Sequence, residues 1–252
     1  MARGSRALAP RCEVAVAEGV YSNGLPHPPL ALRVRVAVEL SILAVATTLL
    51  LVFLPRDLHN TATYASLALV GLGLVGFTAR ETKERIWGPP EATDFDRVRR
   101  CGLSMTALTG PPIVLFLLFG AAARYWEFWV PPNACSMFSV NFLIALVCYL
   151  PWALLQQTLF QFYLLGRLRA LLPFASPFFL SAVNGVFYGL VHLPNPWVTI
   201  VTIIGGIFWS YSYHRDRYVL PIAVSHAALA STFYYWILGK DLVEDMMRKM
   251  GH

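Results

Sequence analysis

QQTLFQFYLLGRL, residues 156–168, places three glutamines within six residues of otherwise apolar sequence. Two apolar stretches further along the chain each contain one histidine: FYGLVHLPNP contains His192, and PIAVSHAALA contains His226. Polar side chains at membrane depth are costly to bury, so each needs a partner or a task. We therefore take the glutamines of the first stretch and the two histidines as the candidate site. The glutamines are Gln156, Gln157 and Gln161.

The composition predicts a membrane protein. Of 252 residues, 57% are hydrophobic and 13% are charged, and the mean hydropathy is +0.56. A soluble domain has about 25% charged residues, so long stretches of this chain are expected to face lipid. The net charge is +6, but the basic residues lie in short segments between apolar runs, where membrane orientation explains them. We therefore expect no nucleic-acid partner.

Seven apolar runs follow an N-terminal tail that contains Arg and Pro. They cover residues 34–54, 61–79, 101–123, 137–166, 175–193, 196–213 and 218–238. Most approach the roughly 20 residues that a helix needs to cross about 30 Å of hydrocarbon. The sequence thus predicts an all-α, polytopic integral membrane protein with about seven transmembrane helices. The predicted parts are a tail (1–33), one membrane domain (34–238) and a short polar C-terminal tail (239–252).

The distribution of basic residues predicts the orientation. Arginines are concentrated before the first run and between the second and third runs, so these segments are expected to be cytoplasmic, with the N-terminus inside. Arg167 and Arg169 follow the fourth run and are predicted to lie in another cytoplasmic loop. The four cysteines form no C-x-x-C pair, so neither a disulfide framework nor a zinc cluster is indicated.

The three polar segments together resemble the CAAX protease and bacteriocin-processing (CPBP) family of intramembrane endopeptidases. QQTLFQFYLLGRL is similar to that family's E-E-x-x-F-R-G-x-L segment. FYGLVHLPNP is similar to its F-x-x-x-H motif, with Tyr188 or Phe187 at the aromatic position, and PIAVSHAALA is similar to its third motif. The resemblance covers roughly residues 137–236 and implies the CPBP fold in a multi-pass membrane protein, which we place in a bacterial inner (plasma) membrane.

The resemblance also implies roles for individual positions. In the family, the leading glutamate and the histidine of the second motif activate a water molecule, while the histidine and asparagine of the third motif hold the oxyanion. These positions correspond here to Gln156, His192, His226 and Ala230. Gln157 and Gln161 occupy the positions of the second glutamate and the arginine. Two acids, one base and one asparagine are therefore replaced, and only the histidines are retained.

These replacements remove the expected general base, because an amide oxygen has nothing like the basicity of a carboxylate near neutral pH. No Asp or Glu occurs between Glu127 and Asp216, so a catalytic zinc with two histidines and a carboxylate is not indicated either. We expect no metal and no cofactor.

Three functions remain open on the sequence. The first is a CPBP-like endopeptidase that acts on or binds a membrane-associated peptide, including a prenylated one. The second is a non-catalytic pseudoprotease that binds a membrane segment in the same cavity, and the third is a small transporter or scaffold. Expected partners are membrane lipid and a membrane-embedded or lipidated peptide. The glutamines also have a purely structural interpretation, as hydrogen bonds between helices.

Two other residues bear on the chemistry. Glu39 is the one acid well inside an apolar run before the motif region, and it is expected to pair with Arg35 one turn earlier. Alternatively, it could reach the histidines and supply the missing carboxylate. Ser225 precedes His226, but neighbouring helical residues point about 100° apart, which argues against a serine-protease pair.

Overall fold

The computed structural model describes residues 28–53, 61–83, 86, 95–126, 140–193, 195–241 and 244. The predictions for residues 1–27 of the N-terminal tail, and for most of the C-terminal tail, lie outside the described residues. The parts of the chain that are described contain helices and no strand. The all-α prediction is therefore confirmed for them.

The described residues form seven helices, and each overlaps one predicted apolar run. They are α1 (Leu30–Phe53), α2 (Thr61–Thr82), α3 (Phe95–Tyr125), α4 (Val140–Leu171), α5 (Pro177–Leu190), α6 (Pro196–Asp216) and α7 (Val219–Thr232, continued by a π-helical turn, Phe233–Ile237). Two of these helices are long and apolar enough to cross a membrane by length and composition, over Arg99–Ala123 and Val140–Leu171. The count of seven membrane crossings stays a prediction.

The first helix supports a lipid environment in another way. One stripe of α1 is apolar and exposed to the surroundings between Leu30 and Leu49, at spacings of three and four residues. Its members are Leu30, Val34, Val38, Ile42, Val45 and Leu49. An exposed apolar stripe of this length would be unfavourable in water and is favourable against lipid chains.

Helix α4 changes its hydrogen-bonding pattern at the glutamines. It is α-helical over Val140–Gln157, π-helical over Thr158–Leu164, and α-helical again over Leu165–Leu171. Segments of π-helix are rare and occur frequently at functional sites. The helix also extends further than predicted, so that Arg167, expected in a loop, lies inside α4 and is buried.

Glycines allow α5 and α6 to pack closely. A Cβ atom at Gly185 would lie 2.6 Å from the backbone nitrogen of Ile207, and one at Gly206 would lie 3.0 Å from the Cα of Gly185. A Cβ at Gly189 would lie 2.9 Å from the carbonyl oxygen of Thr199. Small residues at such crossings let helix backbones approach each other, and this brings the inner faces of α5 and α6 together beside α4.

Arg167 connects α4 to the two N-terminal helices. Its Nε lies 3.1 Å from Glu39 of α1, and its Nη1 lies 2.7 Å from Glu81 of α2. Tyr163 donates a second hydrogen bond of 2.6 Å to Glu39, and Arg35 pairs with Glu81 at 3.0 Å. The expected Arg35–Glu39 pair is therefore wrong, because each residue binds a partner on another helix.

Candidate functional site: a neutral polar core between four helices

Five of the eight predicted site residues lie together where α4, α5 and α7 meet, with α6 behind them: Gln157, Gln161, Tyr188, His192 and His226. His226 of α7 is buried, and its Nδ1 lies 2.9 Å from the hydroxyl oxygen of Tyr188 on α5. The hydroxyl of Tyr149 on α4 lies 3.4 Å from the other ring nitrogen, Nε2. Both nitrogens of the histidine thus face phenol groups.

A chain of amides continues from Tyr188 into α4. Gln157 Nε2 donates to the Tyr188 hydroxyl at 3.2 Å, and Gln161 Nε2 donates to Gln157 Oε1 at 3.0 Å. Both glutamines are fully buried. Their spacing of four residues places them on one face of the helix, which is why adjacent turns of α4 can form a continuous chain.

The chain ends on α5 and α6. Asn184 Nδ2 donates to Gln161 Oε1 at 3.3 Å and to the Ser210 hydroxyl at 2.7 Å, and Ser210 donates to the Gly206 carbonyl at 2.6 Å. Asn184 and Ser210 were not predicted from the sequence. The available signal was an asparagine within an apolar run, four residues before Tyr188 and so on the same face of a helix.

His192 lies on the outer side of Tyr188, in the turn that follows α5. Its Nδ1 lies 2.9 Å from the Tyr188 carbonyl oxygen, and because a carbonyl only accepts, this nitrogen is the donor. The ring centroids of His192 and His226 both lie 5.7 Å from the centroid of Tyr188. The two histidines therefore flank one tyrosine, and the structure places both at the same site.

The remaining predicted residues divide into inner and outer positions. Of the two candidate aromatics, Tyr188 is buried in the core, whereas Phe187 is 40% exposed and lies outside the polar chain. Ala230, one turn after His226, packs against the small buried cluster around Tyr149. Gln156 makes no hydrogen bond to these polar side chains, and its Oε1 is buried without a hydrogen-bond partner.

Trp209 of α6 contacts both His226 and Ser225, the residue that precedes His226 on α7. The Trp209 ring centroid lies 4.8 Å from that of His226, and its Nε1 donates to Ser225 at 3.1 Å. Ser225 also shares a 2.6 Å hydrogen bond with Thr109 of α3. The serine hydroxyl is thus held by a tryptophan and a threonine rather than by a histidine.

The core is neutral in its donors and acceptors. The hydrogen-bonded side chains of the core carry amides, phenols, a serine hydroxyl and an imidazole. Glu39, proposed as a possible substitute for the missing carboxylate, is bound by Tyr163 and Arg167. Among the described residues, no group of three or more His, Cys, Asp or Glu side chains is arranged to hold a metal ion.

Comparison with known families agrees with this architecture. The arrangement is that of an all-helical membrane protein with a polar site between its helices. The family model described as "Rce1-like: Type II CAAX prenyl endopeptidase Rce1-like" matches residues 137–232, so this region of the chain is Rce1-like. The match confirms the resemblance to the CPBP endopeptidases and includes every predicted site residue. No curated protein and no solved structure matches the chain significantly.

Proposed function

We propose that this Rce1-like protein binds a membrane-embedded or lipidated peptide in its polar core without hydrolysing it. Peptide hydrolysis by activated water needs a proton acceptor, a group that stabilises the oxyanion, and access for water. Gln156 and Ala230, at two of the positions that the family uses for these tasks, carry an amide and a methyl group. Neither can take a proton from water near neutral pH.

The histidines do not replace the missing base. His226 is held between the hydroxyls of Tyr149 and Tyr188, so its ring nitrogens are already engaged. His192 donates through Nδ1 to the Tyr188 carbonyl oxygen, and the family mechanism pairs this histidine with a carboxylate at the position of Gln156. A retained histidine without that carboxylate favours recognition over catalysis.

The buried Oε1 of Gln156 is the observation that carries the proposal of binding. A buried polar atom without a partner is costly, and each case calls for an explanation. This oxygen belongs to the residue that precedes Gln157 in α4. A backbone N–H of a bound peptide would satisfy it, and a net hydrogen bond of this kind contributes about 0.5 to 1.5 kcal/mol.

Cleavage and binding are tested separately, with protein in lipid nanodiscs and two fluorescent probes. One probe is a farnesylated peptide with a CAAX terminus, and the other is an unlipidated transmembrane peptide. We expect the wild-type protein to bind at least one probe and to cleave neither. Gln156→Glu, alone or with Gln157→Glu and Ala230→Asn, tests whether restoring the family residues creates activity. Wild-type cleavage that is lost in His192→Ala would contradict the proposal and support a native enzyme.

The binding measurement has its own control. Gln156→Met removes the amide oxygen while keeping a long side chain, and we expect the affinity for the bound probe to fall about 2- to 10-fold, which corresponds to one hydrogen bond. Ile204→Met changes an exposed apolar residue of α6 and is expected to leave the affinity unchanged. Equal affinities for wild type and Gln156→Met would show that this oxygen does not contact the peptide.

A further inference from the structure

The donor and acceptor of each hydrogen bond in the polar core can be assigned, beginning from a backbone carbonyl that can only accept. Ser210 lies 2.6 Å from the carbonyl oxygen of Gly206. A carbonyl only accepts, so the one hydroxyl proton of Ser210 is committed to it. The Ser210 oxygen can then serve only as an acceptor for its other partner, Asn184 Nδ2, at 2.7 Å.

This contact determines which end of the Asn184 amide faces the chain. Nδ2 must point towards Ser210, and the same nitrogen lies 3.3 Å from Gln161 Oε1. Turning the Asn184 amide over would set two oxygens against each other at Gln161 and leave Ser210 without its donor. Gln161 therefore accepts from Asn184 and donates to Gln157, and Gln157 in turn donates to Tyr188.

This order of donors and acceptors then determines where the hydroxyl proton of Tyr188 points. The Tyr188 oxygen accepts a hydrogen bond from Gln157. The hydroxyl proton of Tyr188 needs an acceptor as well, because the tyrosine side chain is fully buried. His226 Nδ1, at 2.9 Å, is its nearest partner. If Nδ1 carried a proton instead, Gln157 and His226 would both donate to the Tyr188 oxygen, and the tyrosine proton would be left with Nε2 at 3.3 Å, the longer of its two contacts with the ring.

We infer that Ser210 and Asn184 are positioning residues that fix His226 in the neutral tautomer with its proton on Nε2. They act through Gln161, Gln157 and Tyr188, and they touch neither ring nitrogen. The Nε2 proton then points to the hydroxyl oxygen of Tyr149, 3.4 Å away. This inference does not depend on whether the protein cleaves a peptide or only binds it.

Amides are suited to this task for a chemical reason. Each carries a donor at one end and an acceptor at the other, so a chain of them transmits the direction of a hydrogen bond across the core without a net charge. An ionised glutamate and an arginine cannot do this, since one only accepts and the other only donates. With Gln157 and Gln161 at the charged motif positions, the hydrogen bonds of the core thus have a fixed order of donors and acceptors.

The test is nitrogen NMR on lipid-embedded protein labelled with ¹⁵N-histidine. The His226 signals are assigned by their contact with the Trp209 ring, 4.8 Å away between centroids. We expect one protonated nitrogen, Nε2, and one unprotonated nitrogen, Nδ1. A wild-type spectrum with the proton on Nδ1, or with both nitrogens protonated near neutral pH, would overturn the inference without the need for any variant.

Two matched variants test the role of Ser210. Ser210 and Ser181 are both fully buried, and both donate to the carbonyl four residues earlier. Ser210 also accepts from Asn184. Ser210→Ala is expected to give a mixture of both tautomers of His226, because the side-chain amides of Asn184, Gln161 and Gln157 can then flip and reverse their hydrogen bonds. Ser181→Ala is expected to keep the single tautomer. The same tautomer in wild type and Ser210→Ala, or equal changes in both variants, would contradict the inference.

Discussion

At the scale of single residues, the polar core contains neutral amides at motif positions where the CPBP family has charged side chains. An ionised side chain in the middle of a membrane helix costs about 2.5 to 3.5 kcal/mol on insertion scales. Gln157, Gln161 and Asn184 instead form neutral hydrogen bonds with one another. The core is thereby kept polar without an unpaired charge, and its stability should depend on each hydrogen bond in the chain.

Tyr188 is the residue where this dependence is strongest. Tyr188→Phe removes the hydroxyl that joins Gln157 to His226 and leaves a buried donor and a buried acceptor without partners. We expect the free energy of unfolding in detergent to fall by about 1 to 3 kcal/mol.

Tyr211→Phe is the matched control, because Tyr211 lies on α6 and is about half exposed. It should leave the free energy of unfolding within about 0.5 kcal/mol of wild type. If both variants unfold like the wild type in denaturant titrations, the Tyr188 hydroxyl does not hold the core together.

At the scale of helices, two different devices assemble the bundle. Glycines bring α5 and α6 into backbone contact beside the site, while a buried ion pair joins α4 to α1 and α2. The first depends on the absence of side-chain volume and the second on a compensated charge. Each can be tested with a pair of similar substitutions.

Gly185→Ala and Gly76→Ala should have opposite effects. A methyl group at Gly185 would meet the backbone nitrogen of Ile207 at 2.6 Å, whereas the space around Gly76 is open. We expect Gly185→Ala to destabilise the protein by about 1 to 3 kcal/mol through overpacking, and Gly76→Ala to stabilise it by up to about 1 kcal/mol through helix propensity. Thermal unfolding of the two variants measures the difference, and destabilisation by both would rule out the steric explanation.

The ion pairs should differ in their contributions because they differ in burial. Arg167 is 3% exposed and binds two carboxylates, whereas Arg35 is 51% exposed and binds one of them. Arg167→Met is expected to cost about 3 kcal/mol, as is typical when one partner of a buried pair is lost. Arg35→Met should cost less than about 1 kcal/mol. Chemical unfolding checks both values, and similar losses for the two variants would contradict this ranking.

At the scale of the whole molecule, the outer surface is as informative as the core. The apolar stripe along α1 faces outward from Leu30 to Leu49, and the Rce1-like family is one of polytopic membrane proteins. We therefore expect the stripe to lie against lipid.

Ile42→Arg tests this placement, since Ile42 is 64% exposed and lies in the middle of the stripe. An arginine there should cost about 2.5 to 3.5 kcal/mol on insertion, and should lower the fraction of protein that resists alkaline extraction from membranes. Ile42→Leu serves as the control and should behave like the wild type. Full membrane retention of the arginine variant would show that this face does not contact lipid.

The sequence by itself determined the class of the protein and the family that residues 137–232 resemble. Apolar run length is a local property, so the positions of the helices could be read from it. The three motifs identified the Rce1-like region, because residue types and spacing are written in the chain. The replacement of acids by Gln156 and Gln157 was equally visible, and with it the loss of the expected base.

Only the tertiary structure decided which polar groups meet. Asn184 and Ser210 join the core because α5 and α6 approach closely at their glycines, and Glu39 is bound by Arg167 because α4 continues past its predicted end. Such contacts join residues far apart in the sequence, and hydropathy and motif spacing contain no information about them. The choice between Tyr188 and Phe187 as the inward-facing residue was likewise made by the rotation of α5 against its neighbours.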